Sequence, residues 1–217
     1  MSHKYKISRQ YRKLFKRYAE ENFREDVSVI LNNADMLYDG FKKETPDIGG
    51  KKNLMAGNLD MALAFFAFYE ASGKCLKGSD ILMMAEWMTE RMKPFGKFID
   101  FNKPWVAKLM YKLYNGYSKK ANRNKENGTW NNTWGVKINP EGQVEGCAFY
   151  LVGCPLVDFA QKHGYMEIMP YLCETDHVTA NLMNAKLILK HTVAQGSEFC
   201  DYWYVGNESE IAKGIEK

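Results

Sequence analysis

Residues 134–152 read WGVKINPEGQVEGCAFYLV, and here the pattern of the chain changes. Upstream, apolar residues recur every three or four positions. Here Trp134, Val136 and Ile138 alternate with Gly135 and Lys137, the period of a half-buried strand. Asn139-Pro140-Glu141-Gly142 has the composition of a turn. The stretch from Val144 to Val152 reads as a second strand that closes a hairpin.

Toward the N-terminus the helical period takes over. It runs from 4 to 44 through Leu14, Phe15, Tyr18, Ile30, Leu31, Ala34 and Tyr38, with a break near Asn22 that Asn22 or Ser28 would cap. Residues 44–50 contain Pro46, Gly49 and Gly50 and read as a loop. The segment from Leu54 to Ser72 is apolar nearly all round, which predicts a central helix. A third helix is predicted from Asp80 to Met92, capped by Ser79 and ended by Pro94. Its Met83, Met84, Met88 and Met92 read as core filling rather than a soft-metal box. A fourth runs from Lys103 to Ala121 with Pro104 at its first turn, followed by a polar boundary loop from Asn122 to Asn132.

Downstream of the hairpin, Pro155 to Lys162 and Ile168 to Leu182 read as helices, with Gly164 as a stop between them. Lys186 to Ala194 and Glu198 to Val205 read as two strands around Gln195-Gly196. The expected architecture is therefore α+β: an N-terminal helical region, then a four-stranded antiparallel sheet in the order ββααββ. One domain is expected over 1–217, with a helical part at 1–125 and a sheet part at 126–217.

Composition limits the function classes. The chain has 217 residues, 46% of them hydrophobic and 14% aromatic, enough to bury a core. The start MSHKYKISRQYRK has no apolar leader region, and no apolar run is long enough to span a bilayer. A cytoplasmic, reducing location with free thiols is expected for the five cysteines. Basic residues cluster at 1–17 and 103–125, seven in each with no acid. Without any nucleic-acid-reading signature these are solvated helix faces, so no nucleic acid or membrane partner is expected. The first helix could pack against a second copy in a homo-oligomer.

The reactive residues gather between Cys154 and Tyr204, which hold three of the five cysteines and three of the four histidines. On a helix Cys173, Asp176 and His177 share a face through i, i+3 and i+4 spacing. Such a set can activate a thiol, with His177 taking the proton and Asp176 orienting it. A two-residue turn at Gln195-Gly196 would place His191 opposite Cys200; a shift by one would place Val193 opposite Cys200 and His191 opposite Tyr202. Either cysteine could equally be a small buried residue. Cys154 precedes Pro155 at a helix start, where the helix dipole favours a thiolate. Cys147 reads as core and Cys75 as incidental. A zinc site from Cys154, Cys173 and Cys200 is the competing chemistry, but zinc sites draw at least two ligands from one short motif. No cofactor is therefore expected.

The order Cys154-Pro155, Cys173-x-x-Asp176, then Thr192-x-x-x-Gly196-x-x-x-Cys200-Asp201-aromatic resembles the L-2-amino-thiazoline-4-carboxylic acid hydrolase family. Asn53-Leu54 before a helix ending in Tyr69-Glu70 is similar to it as well. The resemblance implies a hydrolase that opens a small thiazoline ring to N-carbamoyl-cysteine. It implies Cys173, Asp176, Cys200 and Asp201 as catalytic candidates, with Cys154 beside them; His177 and His191 join them from spacing. Cys154, Thr192 and Tyr202 are the substrate-binding candidates in the same motif. The family follows Cys-Asp with aromatic-Arg-aromatic, whereas this chain has Tyr202-Trp203-Tyr204. If that Arg grips a carboxylate, the grip is missing here. A small ligand-binding or sensor module with a cysteine-lined pocket is the alternative reading.

Overall fold

The computed structural model describes residues 4–90, 92–93 and 98–215. His3 and the helix stop expected at Pro94 lie outside the described residues.

The first apolar run breaks into two helices, α1 (Arg9–Asn22) and α2 (Val27–Glu44). The cap of α2 is neither Asn22 nor Ser28. Asp26 sits in extended backbone, and its carboxylate accepts the Ser28 N–H at 2.8 Å. Helix α3 (Ala56–Ala71) is central as expected, with Leu59 and every residue from 62 to 69 buried. Phe68 stacks on Phe15 at 4.4 Å and Phe65 meets Phe15 edge-on at 5.1 Å, which fastens α3 to α1. On its other side Phe66 stacks on Tyr165 at 5.1 Å.

The chain before α1 is fastened to α2 by two carboxylates. Asp35 accepts the Ile7 N–H at 3.2 Å and pairs with Arg12. Asp39 accepts the Tyr5 N–H at 2.9 Å. Replacing Asp35 with Ala leaves the Ile7 amide and the Arg12 guanidinium without that acceptor. We expect a loss of about 1–2 kcal/mol, read from the urea midpoint; an unchanged midpoint would mean the segment contributes nothing.

Helix α4 (Gly78–Glu90) starts where the Asp80 carboxylate accepts the Lys77 N–H at 2.7 Å, so Asp80 rather than Ser79 secures its first turn. Helix α5 (Pro104–Glu126) runs five residues past the expected end. The polar residues that looked like a loop have a tertiary partner. Asn122 donates to the Val136 carbonyl at 2.9 Å and accepts the Val136 N–H at 3.1 Å, and Ser118 donates to the same carbonyl at 2.8 Å. The Asn122 amide thus pairs with a strand backbone as a neighbouring strand would.

The sheet has four antiparallel strands, β1 (Gly135–Ile138), β2 (Cys147–Val152), β3 (Ala185–Ile188) and β4 (Phe199–Gly206), in the spatial order β1-β2-β4-β3. Between β2 and β3 come α6 (Pro155–His163) and α7 (Met169–Leu182), giving the expected ββααββ order. Gly164 ends α6 in the left-handed region at φ 73° and donates its N–H to Ala160. A short α8 (Glu210–Ile215) closes the described chain. Strand β2 starts at Cys147 rather than Val144, which is 99% exposed. Gly146 sets that start: its φ is +78°, and a Cβ there would collide with the Tyr204 carbonyl.

Register places Cys147 opposite Tyr204, Phe149 opposite Tyr202, and Leu151 opposite Cys200. These six side chains share one face of the sheet and turn toward the helices. Tyr114 of α5 stacks on Phe149 at 4.3 Å, and Phe149 stacks on Tyr202 at 5.2 Å. Asp201 and Trp203 fall on the opposite face. Among the described residues no helix is long and apolar enough to cross a membrane.

Candidate functional site

A cavity of about 490 Å³ lies between the inner face of the sheet and the helices. Its floor is formed by buried residues, among them Trp134, Cys147, Met169 and Cys200. Its rim carries exposed Leu54, Met92 and Leu113. The walls are mostly apolar, including Met61, Phe65, Met88 and Met110. Of the four methionines expected to fill the core, Met88 and Met92 face this space, while Met84 is fully buried.

Four of the candidate residues reach the cavity from three elements. Cys154 stands just before α6, Cys173 and Asp176 sit one turn apart on α7, and Cys200 lies on β4. Tyr202 completes the group by donating its hydroxyl hydrogen to Asp176 Oδ2 at 2.7 Å. His177 does not line the cavity, although spacing put it beside Cys173 and Asp176. At 100° per residue Met169, Leu172, Cys173, Asp176 and Thr179 fall on the face turned to the cavity, and all five line it, whereas His177 falls beside that face.

The expected pairing of His191 with Cys200 does not form. Extended, the β3–β4 register would bring them opposite each other, but the ladder ends at Ile188. Asp201 is the cause. Its Oδ1 accepts the N–H groups of Lys190 at 2.9 Å and His191 at 2.7 Å, replacing strand acceptors. Its Oδ2 lies 2.9 Å from His191 Nδ1. Asp201 and exposed His191 therefore brace the loop on the outer face, away from the cavity. Thr192 is likewise a loop residue: its hydroxyl accepts the Gln195 N–H at 3.2 Å and starts a single 3₁₀ turn, Val193–Gln195. The two-residue hairpin expected at Gln195-Gly196 is replaced by this longer turn. Its Val193 N–H then points at Cys200 Sγ, 3.3 Å away.

Electrostatics separates the thiols from the carboxylate. Burial pushes Cys173 far above the ordinary thiol range, and neighbouring Cys154, Asp176 and Cys200 add to the rise. Burial lifts Cys200 to about 11 despite the Val193 N–H. At Cys154 the amides of Val157 and Leu156 favour the thiolate, as the helix-start argument expects, but burial outweighs them and the net shift is upward. These thiols are protonated at neutral pH. Asp176 retains some surface on the cavity side, yet desolvation pushes it up to about 6, with the Tyr202 hydrogen bond opposing. Its protonation therefore changes near neutrality. Cys147, read as core, also forms part of the cavity wall, and Tyr114 of α5 joins it. All five cysteines carry free thiols, and among the described residues no group of three or more His, Cys, Asp or Glu could hold a metal ion.

The fold and cavity define a class: an α+β protein with a partly open, mostly apolar pocket whose described wall bears thiols and one carboxylate. A family model described as L-2-amino-thiazoline-4-carboxylic acid hydrolase matches residues 57–204, about two thirds of the chain, and the protein belongs to that family. No curated protein and no solved structure gives a significant match.

Proposed function

We propose that this protein is a hydrolase that opens a small ring at a carbon flanked by nitrogen and sulfur, with Asp176 as the general base. What carries this reading is the position of Asp176. It faces the cavity beside Cys173 and Cys200, is held by the Tyr202 hydroxyl at 2.7 Å, and titrates at about 6. A base is most effective when its pKa lies close to the working pH. The family assignment supplies the reaction class.

In the proposed step, water attacks the ring carbon between the nitrogens and the sulfur. Asp176 takes one proton from that water and delivers it to the ring nitrogen. The C–S bond then breaks as the carbonyl forms, and the remaining hydroxyl proton ends on sulfur. The product is a urea bearing a free thiol. Because Cys173 and Cys200 are protonated at rest, the role falls on activated water rather than on a thiolate nucleophile. Those same protonated thiols favour a second reading, a non-catalytic pocket that holds a small ligand.

Ring opening liberates a thiol, so a thiol-reactive dye follows it directly once the protein's own thiols are subtracted. Turnover of 2-amino-thiazolines above the uncatalysed rate supports the hydrolase, and its absence supports the binding module. Tyr202→Phe removes the hydrogen bond that holds the Asp176 pKa down. The acidic limb of the pH–rate profile should then move to higher pH, by roughly half a unit to one unit. An unmoved limb would detach Asp176 from catalysis.

A further inference from the structure

Helix α5 buries one side, through Val106, Ala107, Tyr117, Ser118 and Ala121. Away from that side Trp105, Leu109 and Leu113 follow one another at i, i+4 and i+8, and all three are exposed, Trp105 by 57%. At 100° per residue this stripe winds from the solvent side at Trp105 to the cavity rim at Leu113. Exposed Lys108, Lys112 and Lys119 run beside it. The loop before α3 joins the same surface. Lys120 Nζ donates to the Lys52 carbonyl at 2.9 Å and the Tyr117 hydroxyl donates to Asn53 at 2.8 Å, which fastens the loop to α5. That loop carries exposed Lys51 and Lys52 and then Leu54, which is 64% exposed and, like Leu113, lies on the rim of the cavity.

A run of apolar side chains left in water marks a contact surface. The charges beside it select the partner. Residues 103–125 hold seven basic residues and no acid, and the neighbouring positions outside the described residues, Arg91, Pro94, Phe95, Gly96 and Lys97, bring no acid either. Lys103 is engaged with Asp100 at 3.8 Å, which leaves the cations along the stripe itself. A second copy presenting the same face would set these lysines against one another, whereas an anionic surface pairs with all of them at once. Tryptophan and leucine flanked by lysines suit a lipid headgroup layer: the rings and Lys stems lie in its apolar zone and the ammonium groups reach the phosphates. The basic run at 103–125, expected to be a solvated helix face alone, thus has an apolar stripe wound beside it, and the expectation of no membrane partner rested on the charges without that stripe.

From this we infer that the face formed by α5 and the loop before α3 docks on an anionic lipid surface, with Trp105 and Leu109 entering the headgroup layer and the cavity mouth turned toward the membrane. Among the described residues no helix can cross a bilayer, so the contact is peripheral. This docking does not depend on the hydrolase reading.

Co-sedimentation of the full chain with vesicles tests it. Equimolar phosphatidylserine and phosphatidylcholine should bind the chain at least about tenfold more tightly than phosphatidylcholine alone, and the gain should shrink as salt is raised. Lys108→Glu with Lys112→Glu should abolish the gain. Trp105→Ser with Leu109→Ser should weaken binding to the mixed vesicles by about tenfold. All four side chains are exposed and none lines the cavity, and the lipid and salt comparisons use the unaltered chain. A chain that ignores the mixed vesicles, binds both kinds equally, or binds the mixed kind undiminished in both variants overturns the inference. So does a dimer in sedimentation velocity that Trp105→Ser with Leu109→Ser dissociates, because a second copy then covers the stripe.

Discussion

Asp176→Asn should remove about 10²- to 10⁴-fold of any ring-opening rate, the range over which a positioned general base contributes. The change is nearly isosteric. The amide oxygen of the introduced side chain can still accept the Tyr202 hydroxyl hydrogen that Asp176 accepts at 2.7 Å, so the cavity keeps its shape while losing its base. A thermal melt then distinguishes lost chemistry from lost structure, because the two predict opposite signs. The folded-state pKa of Asp176, about 6, lies above the ordinary carboxylate value of 3.8. Between those values the folded state binds the proton more tightly than the unfolded chain. This contribution to stability is therefore lost as pH rises through the window, and above about 6 the buried charge is a net burden. The amide variant carries no such burden. At neutral pH it should melt no lower than the parent, and the parent alone should lose stability at this site between about pH 4 and 6. A variant that retains most of its turnover would remove Asp176 from the mechanism. One that loses turnover and melts far lower would show that the loss came from unfolding.

The second large effect lies at Asn53, just before the cavity-wall residues Leu54 and Met55. Asn53 is 3% exposed, and its amide uses all of its main hydrogen-bonding directions. It donates to the Ile48 carbonyl at 2.6 Å and to the Thr133 hydroxyl at 3.0 Å. It accepts from the Met55 N–H at 2.9 Å and the Tyr117 hydroxyl at 2.8 Å. One side chain thus joins the loop before α3, the start of α3, helix α5 and the approach to β1. Replacement by Ala orphans four polar groups in a site that water does not readily reach. We expect a loss of roughly 3 kcal/mol in the urea unfolding free energy, since each unsatisfied buried group costs about 1–3 kcal/mol before relaxation. Asn53→Asp keeps the acceptors and loses both donors, and should fall between the parent and Ala. A loss below about 1 kcal/mol for Ala would mean that the loop repacks and that Asn53 is not the junction described. Because Leu54 and Met55 follow it in the cavity wall, the Ala variant should also slow any turnover of 2-amino-thiazolines.

Much of this architecture was legible in the residue pattern. The change from a period near 3.6 to alternation at Trp134 separated helices from sheet, and the apolar circumference of 59–69 marked α3 as the centre. Of the two β3–β4 registers that the turn residues allowed, the one that forms points His191 toward Cys200. What could not be read was where that ladder stops. A carboxylate competing for strand amides is a three-dimensional event, and Asp201 wins the Lys190 and His191 N–H groups only because the fold brings it within 2.9 Å. Asn122 gives the same lesson in reverse. Its polarity suggested a loop, and pairing with Val136 keeps it helical.

The sequence by itself determined the fold class, the ββααββ order, the central helix, and the spacing that sets Cys173 and Asp176 on one helix face. Only the tertiary structure decided which of the reactive residues meet and in which protonation state. Periodicity reports which side of an element is buried. It does not report how much water is removed from a given thiol or which partner a given amide finds. Desolvation raises the thiols of Cys154, Cys173 and Cys200, and the same desolvation brought Asp176 to about 6.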